Sequence, residues 1–68
     1  MSNVAQLKAK LRKITVRYLD QDTMRELTID AKGHRYETDP ALLIVETVSG
    51  GFVEWPLDSV LMVIDEPA

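Results

Sequence analysis

Sixty-eight residues with no cysteine, one histidine and a formal charge of −3 leave room for one small core and little else. At this length folding buries only about 60% of the surface of the unfolded chain, so stability is marginal unless copies of the chain share it. The composition excludes a disulfide framework, a thiolate metal cage and a histidine cluster, and 46% hydrophobic against 28% charged content is that of a globular chain, not a disordered one.

Residues 3–13 are predicted to form a short amphipathic helix. Asn3 is placed as its N-cap with Gln6 completing a capping box, and Val4, Leu7 and Leu11 share one side. Lys10, Arg12 and Lys13 then fall in the last turn, where positive charge suits the helix dipole. From Ile14 the period becomes two: Ile14, Val16 and Tyr18 face one way and Thr15, Arg17 and Leu19 the other, the pattern of a half-buried strand. Residues 20–23 are a polar turn, and Arg25 to Asp30 alternates again with Leu27 and Ile29 inward. Lys32-Gly33 marks a tight turn or a bulge before a weaker strand over 34–38, which Asp39-Pro40 ends.

The run Leu42 to Val48 is expected as a central strand covered on both faces. Ser49-Gly50-Gly51 turns the chain into a strand over 52–55, which Pro56 stops. A single 3₁₀ turn over 57–59, a last strand over 60–64 and a charged, frayed tail over 65–68 complete the chain. One helix followed by five or six short strands, all in one domain, predicts an all-β, strongly bent small barrel, since closure is the simplest way for so small a sheet to avoid raw edges. Apolar runs of at most five residues predict no membrane span, the N-terminus has no secretory signal, and a cytoplasmic location is the expectation.

Charge is divided along the chain. The first 36 residues hold eight bases and four acids, a net +4, whereas the last 32 hold seven acids and no base, a net −7. Three readings stay open: a basic surface for nucleic acid, a basic part of one copy meeting the acidic part of the next, or two solvated faces. For nucleic acid the candidates are Lys8, Lys10, Arg12, Lys13 and Arg17, with Tyr18, Tyr36, Phe52 and Trp55 available to stack bases. For a subunit interface they are Phe52, Val53, Trp55, Val60, Leu61, Met62, Val63 and Ile64. The last strand is apolar on both faces, and such an edge aggregates unless a partner covers it.

Nothing in the spacing points to catalysis. His34 reads as a surface or strand-edge histidine, Asp20 and Asp22 as turn residues without calcium-loop spacing, and Gly33 and Gly50-Gly51 as isolated glycines, not a phosphate loop. A non-enzymatic module without metal or cofactor is therefore expected.

Two stretches resemble the Sm-like family, and SH3-like barrels more generally share the layout. Trp55-Pro56-Leu57-Asp58-Ser59-Val60 is similar to the second Sm motif, with Asp58 and Val60 matching and Pro56-Leu57 standing where that motif has Arg-Gly. Asp39-Pro40-Ala41-Leu42-Leu43-Ile44 is similar to the end of the first, with Gly33, Asp39 and Leu42 matching and Leu43 standing where the family's RNA-contacting Asn would be. The resemblance implies a homo-oligomeric ring of five to seven subunits, residues 52–55 of one copy pairing with 60–64 of the next, and single-stranded RNA as ligand. The alternative is a protein-interaction adaptor, or a small inhibitor of mobile-element or phage type, that uses its acidic half.

Overall fold

The computed structural model describes residues 11–68, and these form five antiparallel strands and one 3₁₀ turn. In chain order the strands are β1 (Arg12–Asp20), β2 (Thr23–Glu37), β3 (Leu42–Thr47), β4 (Phe52–Pro56) and β5 (Val60–Pro67), with the turn η1 (Leu57–Ser59) between the last two. They pair in the order β4-β3-β2-β1-β5. The sheet is open: β4 and β5 lie at its two ends and no ladder joins them. This corrects the expected closed barrel.

The expected helix is corrected as well. Its residues 3–10 lie outside the described residues, but Arg12 and Lys13 are the first two residues of β1, and there is no α-helix among the described residues. Helical propensity at these two positions yields to pairing on both sides, since Arg12 sits opposite Ala31 of β2 and Pro67 of β5. The predicted frayed tail is likewise strand, because Asp65, Glu66 and Pro67 pair with Ile14, Lys13 and Arg12, and the Ala68 N–H donates to the Leu11 carbonyl at 3.1 Å.

Period-two alternation sorts β1 as expected: Ile14 and Val16 are fully buried, whereas Lys13 and Leu19 are exposed. The two strands predicted on either side of Lys32-Gly33 are one, β2, with its register against β3 shifting between Ala31 and Gly33. That bulge adds one residue and so changes which residues face the core. Before it, Leu27, Ile29 and Ala31 share the face of Val16 and Ile14; after it, His34 and Tyr36 share the face of Val45 and Leu43. β2, not β3, is the central strand, although Leu43, Ile44 and Val45 are buried in succession as a strand covered on both faces requires.

The core gathers on the inner side of the bend: Ile14, Val16, Ala31, Leu43, Val45 and Trp55, flanked by Tyr18, Ile29, Val53, Val60 and Val63. Trp55 reaches from the β4 end of the sheet to Tyr18 of β1, their rings 5.6 Å apart at 49°. A sheet this bent brings its ends toward each other without hydrogen-bonding them.

Candidate functional site

Both ends of the sheet carry exposed apolar side chains. On β5, Tyr18 pairs with Val60 and Arg17 with Met62, so Leu61 is an extra, bulged residue. Val60, Val63 and Asp65 face inward, and Leu61, Met62 and Ile64 are 49, 37 and 38% exposed. On β4, Val53 and Trp55 face the core, whereas Phe52 is 55% exposed beneath the Arg35 guanidinium, which lies 5.5 Å from its ring centroid. Of the eight residues named for an interface, Phe52, Leu61, Met62 and Ile64 thus offer side chains outward. Val53, Trp55, Val60 and Val63 contribute only the backbone of the edge. Proline terminates both strands, and Glu54 is the one charged residue of β4.

The residues named for nucleic acid are placed differently. Lys8 and Lys10 lie outside the described residues. The Arg12 Nε donates to Asp65 Oδ1 at 2.6 Å, and Arg17 donates from Nε and Nη2 to Glu26 Oε1 at 3.1 and 2.9 Å. Lys13 is exposed and lies in register between Asp30 and Glu66. Two further arginines are paired, Arg25 with Asp20 at 2.9 Å and Arg35 with Glu37 at 3.3 Å. The basic half of the chain is therefore laced with the acids of its own and neighbouring strands.

Sequence reasoning missed one cluster altogether. His34 is turned inward by the bulge, and its Nδ1 lies 2.7 Å from Asp65 Oδ2, so one carboxylate holds β1 through Arg12 and β2 through His34. The Tyr36 ring packs edge-on against the imidazole at 5.5 Å. The hydrogen bond from Arg12, reinforced by His34, holds the Asp65 carboxyl below its ordinary pKa, against the opposing pull of partial burial. An open hollow is lined by Gly33, His34, Arg35, Ile44 and Glu46. Among the described residues no three His, Cys, Asp or Glu side chains gather as a metal site, and no helix is long and apolar enough to cross a membrane. No protein-family model, curated protein or solved structure matches the chain.

Proposed function

We propose that the protein is a non-enzymatic assembly module whose copies join head to tail, the open edge of β4 in one chain pairing with the open edge of β5 in the next. The observation that carries this reading is the pair of strand edges at opposite ends of one sheet that no other described strand pairs with, both flanked by exposed large apolar side chains. An uncovered strand edge is a template for another strand, and a heterologous contact between two different edges repeats from copy to copy. The resemblance to Sm-like proteins implies the same two strands. Pairing of Arg12, Arg17, Arg25 and Arg35 with carboxylates favours protein over single-stranded RNA as the partner.

Light scattering at micromolar concentration tests the reading. The expected mass is several times that of one chain. Leu61→Asp with Ile64→Asp places acids against Glu54 of the facing β4, where like charges repel, and is expected to yield single chains with an unchanged far-UV spectrum. A wild-type protein that runs as single chains, or a double variant that assembles as well as wild type, defeats the proposal. Retention of mixed RNA on a filter, weakening as salt rises, would move the partner to nucleic acid.

A further inference from the structure

The contact between His34 and Asp65 demands a sharply bent β2. Ile14 lies opposite Ile29 on one side and Asp65 on the other, so in a straight sheet Asp65 would sit level with Ile29. His34 is five positions beyond Ile29 and would then stand roughly 16 Å farther along the strand. Instead the two side chains are 2.7 Å apart. The bulge at Lys32 supplies the bend, and the only side-chain ion pairs among the described residues that span from β5 to β1 and β2 meet at Asp65.

We propose that Asp65, held between Arg12 and His34, is an acid-released clasp that sets the bend of β2 and with it the angle between the two open edges of the sheet. The link to assembly rests on the head-to-tail reading above. In a head-to-tail contact the angle between the two edges of one copy is the rotation from copy to copy, and that rotation decides whether a ring closes.

The groups that face the carboxylate come from each strand packed against it. β1 presents the Arg12 guanidinium and β2 the His34 imidazole, with the Tyr36 phenol against that ring; Glu46 of β3, in register with Gly33, lies on the other face of the sheet. On β5 itself, Glu66 faces the opposite side, in register with Lys13. Two nitrogen donors therefore converge on one acid. Protonating that acid removes its charge and weakens both bonds together. Arg12 and the pull of His34 favour the charged form, so the folded carboxyl titrates below the unfolded one. The clasp is closed above the ordinary aspartate pKa of about 3.9 and opens as pH falls through the lower folded value.

Amide exchange on the full chain, expressed as protection factors, tests the clasp together with light scattering. Asp65→Asn mimics the protonated acid. At pH 7 it is expected to lower the protection of the β5 amides and of Ala68 at least tenfold, while Gly50, in the β3–β4 turn, keeps its own. Wild-type protein taken from pH 7 progressively into acid, below the ordinary aspartate range, is expected to lose protection at the same amides, and the variant to show no further loss there. If Asp65→Asn does not fold, His34→Gln, which keeps the Arg12–Asp65 pair, is expected to give a smaller loss, about threefold, at those amides. Unchanged protection in the variant that folds, or wild-type β5 amides that keep their protection in acid until the whole sheet loses it, overturns the clasp. Loosened β5 amides in a protein that scatters as single chains would retain the clasp and reject head-to-tail assembly. Loosened amides with an unchanged assembled mass would reject the role given to the bend.

Discussion

Gln21 and Asp22 both carry positive φ, 51° and 67°, in the two-residue loop that joins β1 to β2 immediately after the Asp20–Thr23 pair. Two positive φ values in a two-residue hairpin are the signature of a type I′ turn, a conformation that Asn-Gly adopts with the least strain. Glutamine is a poor occupant, since its side chain offers the left-handed backbone no local hydrogen bond of the kind Asn provides. Replacing the pair by Asn-Gly, through Gln21→Asn and Asp22→Gly, is expected to stabilise the chain by about 1 kcal/mol, raising the melting temperature by about 4–8 °C. A thermal melt checks it. No rise would mean that the turn is already relaxed by its neighbours, such as the Arg25–Asp20 ion pair. The β3–β4 loop is solved differently: Gly50 takes φ 96°, its N–H donates to the Thr47 carbonyl, and the Thr47 hydroxyl accepts from the Gly51 N–H.

At the scale of elements, β2 decides the shape. The bulge between Ala31 and Gly33 lets one strand line the core with Ile29 and Ala31 on one side of the bend and with His34 on the other. Deleting Lys32 keeps inward residues inward on both sides of the deletion but removes the extra residue that bends the strand. Such a variant is expected to retain its far-UV signal while Trp55 emission shifts to the red as the core opens. An unshifted emission maximum would show that the bend does not need the bulge. The strand over 14–19, the stop at Pro56 and the 3₁₀ turn over 57–59 were legible in the sequence, because each is written in local alternation or in a single breaker residue. The bulge was legible only as an interruption, since a change of inward parity looks the same in one dimension as the end of a strand. Asp65 was not legible at all: in sequence it begins a charged tail, and its partners lie 31 and 53 positions away. Arg12 and Lys13 read as helix for the same reason, their strand being imposed by β2 and β5 and not by themselves. The apolar run 60–64 was legible as the last strand, and β5 lies at one end of the sheet that the described residues form.

For the whole molecule, so small a core would make stability depend on the association proposed above. Its largest fully buried side chains are Ile14, Leu43, Val16 and Val45. Any contact made only by folded chains stabilises them by mass action, so the melting temperature is expected to rise with protein concentration. Melts over a hundredfold concentration range check this, and coincident curves would count against assembly independently of scattering. The two ring systems packed on the inner side of the bend have a practical consequence. His34 is the sole imidazole of the chain and Trp55 its sole indole. One sits against Arg12 and Asp65 near the start of β1, the other against Tyr18 near its end. The molecule thus carries a proton-resonance label beside Asp65 and a light-emitting label on β4, each unambiguous without any added dye. Loosening that begins at either place would register first in its own signal, so the order of events in unfolding is readable from native protein in a single tube.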